Sequence, residues 1–228
     1  VLLLFGVGRR ITAFLVFICL DINQSLNSLT LNGGDNMLKF ILLYLIFAKA
    51  YDRYSLQPKR MFSWLATNET RRLIGNLAGY SLCFHLCLAY LITGFHKVHA
   101  DVWFNGIATY YIFSLERFQG TFLNKLVAEN GYLVTITTYF TLILEVFFPV
   151  VVWRKGTIKW LFLIGGIALH VGIAFFMMLY AFQFIFISLY GFFITTEEWG
   201  VIMSKVKQFK TKALSVFGRK RALVAAAE

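Results

Sequence analysis

A chain of 228 residues that is 59% hydrophobic, 18% aromatic and only 14% charged is too apolar for an ordinary soluble domain. Apolar runs near the roughly 18–20 residues that cross a bilayer recur along it, without the short alternating strands of a barrel. The expected class is therefore all-α: a polytopic transmembrane helical bundle of about six to seven spans.

Val1–Val7 reads as the tail of a helix already under way, so an upstream segment is expected, and Arg9 and Arg10 mark that helix's exit. Ile11 to about Ile22 predicts a second helix, followed by the polar stretch DINQSLNSLTLNGGDN. Within it Gly33-Gly34 permits a tight turn, and Asp35 or Asn36 can cap the next helix, Met37 to Tyr51. Leu73 to Gly94 and Tyr132 to Trp153 predict a fourth and a fifth. The stretch from Gly156 to Thr195 carries Lys159 as its single charge before the glutamates that follow it. It is too long for one helix at about 1.5 Å per residue, so two helices with a tight turn near Tyr180 are expected. Phe104 to Leu126 is amphipathic and aromatic, which predicts a segment lying on or re-entering the outer face. The domain reading is one membrane domain over 1–196 and a basic cytoplasmic tail over 197–228.

Charge orients the set by the positive-inside rule. Arg9 and Arg10, the residues from Lys49 to Arg72, the group Arg154, Lys155 and Lys159, and the tail from Lys205 to Arg221 fall on one side. Of the 22 basic residues, only Lys39, Lys97, Arg117 and Lys125 fall on the other. The basic side is then cytoplasmic, and Lys97 and the Asp35 loop face outward. The net charge of +11 is topology signal plus a tail with affinity for anionic membrane lipid, so it needs no nucleic acid to explain it. Cys19, Cys83 and Cys87 sit inside apolar runs, where cysteine behaves as a small hydrophobe.

Ionisable residues inside a bilayer are costly and mark function by default. His85, Glu145 and His170 are the candidates. About 20 Å of helix separates Thr157 from His170, and about 13 Å separates His85 from Gly94. Both histidines therefore fall in the half nearest Lys97. Each also has a bland reading, as a satisfied hydrogen-bonding residue between helices. Glu145 precedes Pro149 by one helical turn, so it reads either as an acid bonded to a freed carbonyl or as the counter-ion of a cation. Lys97, at the end of YLITGFHK, reads as an interfacial anchor with its ammonium in water or, if shielded, as a base. His96 and His99 are spaced as a metal pair but lack a local third ligand. Trp103, Tyr110 and Tyr111 read first as an aromatic belt. Asp35 reads first as a helix cap, yet shares the outer face with Lys97.

The stretch GFHKVHADVWFNGIATYY resembles the signature of HTTM-domain proteins, the vitamin K-dependent γ-glutamyl carboxylase-like membrane group. Gly94, Lys97, Trp103 and Gly106 match its order of small residue, lysine, tryptophan and glycine. LNGGDNMLKFILLYLIF resembles the bacterial branch, and LEVFFPVVV and ALHVGIAFFMML are similar to its later helices. The resemblance covers roughly Val1 to Thr195. It implies a helical bundle working toward the extracytoplasmic side. It also implies that Lys97 is the base, with a lipid-soluble quinone as the cofactor. Where the carboxylases carry a histidine at a helix start, Asp35 or Asn36 stands here, and a basic tail follows Thr195 in place of their lumenal portion. Both differences point away from glutamate carboxylation and toward the bacterial branch that matures sporulation-delaying-type toxin peptides.

Two functions are carried forward. The first is a membrane enzyme or maturation factor in the bacterial cytoplasmic membrane, acting on an exported peptide. Its catalytic candidates are Lys97, His170, His85 and Asp35, and its cofactor-binding candidates are Trp103, Tyr110 and Glu145. The second is a non-catalytic subunit that docks another membrane protein through the outer aromatic segment or the tail.

Overall fold

The computed structural model describes residues 2–3, 5–26, 32–48 and 68–225, leaving aside the side chains at 68 and from 212 onward. The basic connection from Lys49 to about Thr67, the start of LTLNGGDN and the last turn expected up to Tyr51 lie outside the described residues. Every regular element among those described is helical. The chain forms two compact units, Val1–Tyr190 and Gly191–Glu228.

In the first unit, α1 (Arg9–Leu26) and α2 (Gly33–Phe47) precede the long α3 (Asn68–Val98). The short helices α4 (Asp101–Phe104), α5 (Ala108–Ser114) and α6 (Leu123–Ala128) lead to α7 (Gly131–Val151), α8 (Thr157–Met177) and α9 (Tyr180–Tyr190). The second unit holds α10 (Thr196–Ala225). Residues 5–8, expected to be helical, form turns instead. The polar DINQSL continues α1 to Leu26, because the helix buries Gln24 there and lets it donate to the Asp35 carbonyl at 2.8 Å.

Helix ends follow local chemistry. Asn32 Oδ1 accepts from the backbone of Gly34 and Asp35, and Asp35 Oδ2 accepts from Asn32 N at 2.9 Å, a reciprocal capping box on α2. Asn130 caps α7 one way only, its side chain accepting from the backbone of Tyr132 and Leu133. Met178 takes a left-handed conformation (φ 55°) and ends α8 two residues before α9 begins, which places the expected turn near Tyr180.

Pairwise packing runs from α2 to α3, then to α7, α8 and α9, and back from α9 to α2, closing a ring of five helices. Glycine sets two of the contacts. A Cβ at Gly34 would stand 2.8 Å from the Phe182 ring, and one at Gly94 would stand 3.0 Å from the Val146 side chain and 3.2 Å from its backbone. The core is built from Leu86, Tyr90, Leu144, Phe148, Leu163, Phe186 and Tyr190.

The α4–α6 segment folds onto the ring. Thr109 donates its backbone N–H to Thr138 Oγ1 at 3.1 Å, Tyr139 donates its hydroxyl to the Phe104 carbonyl at 2.7 Å, and Asn124 Nδ2 donates to the Phe118 and Phe176 carbonyls at 2.9 Å. Gly106, at φ 73°, lies against the Tyr139 ring where a Cβ would not fit.

By length and composition α3, α7 and α8 can cross a membrane, or up to four spans form if Tyr180–Phe193 and Thr196–Thr211 count together. These long apolar helices fit an integral membrane protein, with fewer clear crossings than expected. The shortfall has a physical cause: α1 carries Arg9, Arg10 and Asp21, α2 has 15 residues and α9 has 11, short of the roughly 17–25 a span needs.

Candidate functional site

The site grows from one face of α3. Tyr90, Gly94 and Lys97 are spaced at i, i+4 and i+7, so they form one stripe, and that stripe faces α7. Because Gly94 has no side chain, α3 approaches the Glu145–Val146 backbone closely. One turn further, Lys97 Nζ donates to Glu145 Oε1 as a salt bridge. The Glu145 side chain is 9% exposed and that of Lys97 24%. The second oxygen, Glu145 Oε2, is buried with no hydrogen-bond partner among the described residues. Trp103 on α4 presents its ring face to the ammonium, 4.7 Å from the ring centroid, which stabilises the charge further. Pro149, one turn after Glu145, lacks the N–H that would bond the Glu145 carbonyl, and α7 continues through it.

About 10 Å along α3, Tyr90 begins a second cluster inside the ring. Its hydroxyl lies 2.5 Å from Tyr190 Oη and 2.6 Å from His170 Nε2, and His170 Nδ1 bonds Gln183 Oε1. All four residues are buried. The amide oxygen can only accept, so His170 Nδ1 carries the proton, Nε2 accepts from Tyr90, and Tyr90 accepts from Tyr190. The result is a directed chain with one end, Gln183 Nε2, left as a buried donor with no partner among the described residues. Gly166 makes the space: a Cβ there would lie 2.4 Å from Tyr190 Oη. The His170 ring stacks on Phe186 at 5.1 Å.

Of the residues singled out from sequence, Lys97, Glu145 and Trp103 come together, and His170 lies in the adjoining cluster. Glu145 is thus the counter-ion of a cation rather than an acid bonded to a carbonyl. Lys97 is neither fully sealed nor a free anchor. His85 sits half-buried against α2, its ring 3.9 Å from Phe40 and 6.3 Å from Tyr44 by centroids, which is a packing position. Asp35 is engaged in the α2 cap. Tyr110 is exposed and meets the edge of Tyr111 at 5.4 Å. His96 and His99 are exposed beside an apolar groove that also includes Ile92 and Phe95, and His99 Nδ1 donates to the Phe95 carbonyl. Among the described residues no group of three or more His, Cys, Asp or Glu is arranged to hold a metal.

Tyr90, Tyr190 and Gln183 were not singled out from sequence. One signal was present: Gln183 is the one side-chain amide in YAFQFIFISLY, and Gln183, Phe186 and Tyr190 share a face at i, i+3 and i+7. The tyrosines gave none, because a phenol in an apolar run reads as hydrophobic mass.

No protein-family model, curated protein or solved structure matches the chain.

Proposed function

We propose that the chain is an integral membrane enzyme or maturation factor of the HTTM kind, acting at the extracytoplasmic face on an exported peptide with Lys97 as its base. The observation that carries this reading is an ion pair of Lys97 and Glu145 set between apolar helices, with one carboxylate oxygen unpartnered. Buried, unpaired polar atoms are expensive, and they persist chiefly where something binds or reacts. The motif order also gains a physical content that supports the resemblance. Gly94 lets α3 reach α7, Gly106 turns the chain at positive φ, and Trp103 covers the lysine.

As a base, Lys97 first yields its proton along the existing hydrogen bond to Glu145 Oε1. That leaves a neutral amine beside a neutral acid, an arrangement that a water-poor site tolerates better than bulk water does. The amine then takes a proton from the substrate, and Glu145 holds the first proton until it is returned. Trp103 orients the amine throughout. The residues also fit a quinone in its reduced, hydroquinone form: Trp103 offers an aromatic face and Glu145 Oε2 an acceptor for a ring hydroxyl. Such a hydroquinone would supply an acidic O–H and, on oxidation to the quinone, two electrons. On this reading α1, α2 and α9 complete a bundle of about six to seven segments, with α4–α6 as its outer lid. The basic connections face the cytoplasm of a bacterial cell, as the positive-inside rule requires.

The test is deletion of the gene followed by complementation, with the secreted peptides read by mass spectrometry. Lys97→Ala and Lys97→Arg should both abolish processing while the protein stays in the membrane at normal level, since arginine keeps the charge but does not deprotonate. A folded Ala or Arg variant that restores processing removes the base role. A stable stoichiometric partner that copurifies, with neither variant impaired, would instead establish the docking subunit.

A further inference from the structure

The second unit carries a different kind of surface. Its helix α10 begins at a second reciprocal cap, in which Thr195 N donates to Glu198 Oε2 at 2.8 Å and Glu198 N donates to Thr195 Oγ1 at 3.3 Å. Glu197 and Glu198 occupy its first turn, where negative charge suits the helix dipole. Beyond them Trp199, Ile202, Met203, Val206 and Phe209 recur at helical spacing and make one apolar stripe. Met203 is 52% exposed, Val206 53% and Phe209 76%.

The charges are placed against that stripe. Lys205 and Lys207 lie on its two sides, each about 100° around the helix from the stripe's centre. Lys210 follows Phe209, and the sequence beyond adds Lys212, Arg219, Lys220 and Arg221. Ser204, Gln208 and Thr211 occupy the back. Val201, exposed on that back face, is the exception. The spans α3, α7 and α8 also expose apolar residues, but long uncharged stretches there fit acyl chains. On α10 an apolar stripe rimmed by ammonium groups fits a headgroup layer, the stripe at the acyl boundary and the lysine stems reaching up to phosphates.

We propose that α10 is an interfacial helix whose partner is anionic phospholipid, bound by the stripe of Trp199, Ile202, Met203, Val206 and Phe209 together with Lys205, Lys207 and Lys210. The charge alone would give loose, salt-sensitive adsorption; the stripe adds insertion. This inference stands apart from any role of Lys97.

The full chain is placed in nanodiscs of phosphatidylcholine, or of phosphatidylcholine and phosphatidylglycerol in equal parts. An environment-sensitive fluorophore sits on Met203→Cys or, separately, Val201→Cys, in a Cys19→Ala background that leaves only the buried Cys83 and Cys87. The Met203 probe should shift to the blue in the anionic disc and not in the neutral one, while the Val201 probe stays aqueous in both. Replacing Lys205, Lys207 and Lys210 by glutamine should abolish the difference between discs, and so should Val206→Ser with Phe209→Ser, which keeps every charge. Equal emission in the two discs overturns the proposal. So does an anionic-disc shift that survives the glutamine variant, and so does a Val201 probe that shifts with the Met203 probe.

Discussion

The Lys97–Glu145 pair and the Tyr90–Tyr190–His170–Gln183 chain start from the same stripe of α3, about 10 Å apart along it, yet they solve the burial of polar groups in opposite ways. The pair keeps full charges, stays partly open at Lys97, and leaves Glu145 Oε2 unsatisfied. The chain is neutral in the arrangement its hydrogen bonds dictate, is sealed from solvent, and passes each proton to the next acceptor until it ends at Gln183. Charge is held where the site is partly open, and neutrality is kept where it is sealed. The second arrangement ties α3, α8 and α9 together through side-chain hydrogen bonds.

The comparison breaks most visibly at Glu145. Glu145→Ala strands the Lys97 ammonium, and removing one partner of a buried pair typically costs about 3–5 kcal/mol, less here because Lys97 is partly exposed. Thermal unfolding in detergent should show a large fall in Tm. Replacing both partners together, Lys97→Met with Glu145→Leu, should recover most of the stability and none of the peptide processing. If the double variant stays as unstable as the single, the pair is not the isolated ionic unit described.

Gly166→Ala attacks the sealed chain instead. Its Cβ would displace the Tyr190 hydroxyl, and overpacking of this kind costs roughly 1–3 kcal/mol. Tyr190→Phe in the same background removes only the hydroxyl contact and leaves ring carbons 2.7 and 2.9 Å from the added Cβ, so it should restore little. Full rescue would show that the hydroxyl alone meets the added methyl.

Asp35→Ala should be milder, about 1 kcal/mol, because it removes one half of the α2 cap and leaves Asn32 in place. Peptide processing should be unchanged. His85→Phe, a change of one ring for another of similar shape beside Phe40, should be comparably mild, under about 1.5 kcal/mol in stability. It too should leave processing intact. Loss of processing in either folded variant would return Asp35 or His85 to the working site.

The sharpest lesson about legibility comes from His170 and His85. Both are histidines in apolar helices, and helix rise put both in the half nearest Lys97. Nothing along the chain separated the one bonded to Tyr90 and Gln183 from the one packed on Phe40, because the choice depends on which helix each side chain faces. Glu145 was similarly ambiguous. Pro149 made a carbonyl partner reasonable, and only the close crossing at Gly94 brought Lys97 within reach. Asp35 was legible in part: a capping role was expected of it, but for a helix beginning at Met37, whereas α2 begins at Gly33, Asn32 is its N-cap and Asp35 answers from within the first turn.

Composition, apolar run length and turn chemistry determined by themselves that the chain is helical, with helices apolar enough to suit a membrane. They also determined that α3, α7 and α8 are long enough to cross, and that a turn separates α8 from α9. Those properties are local: they depend on backbone hydrogen bonds satisfied within one helix and on side chains a few residues apart. The tertiary structure decided which polar groups meet. Lys97 and Glu145 are 48 positions apart, and Tyr90 and Tyr190 are 100 apart. Such pairings follow from helix crossings set by Gly94 and Gly166, where the absence of a side chain is what brings the partners together.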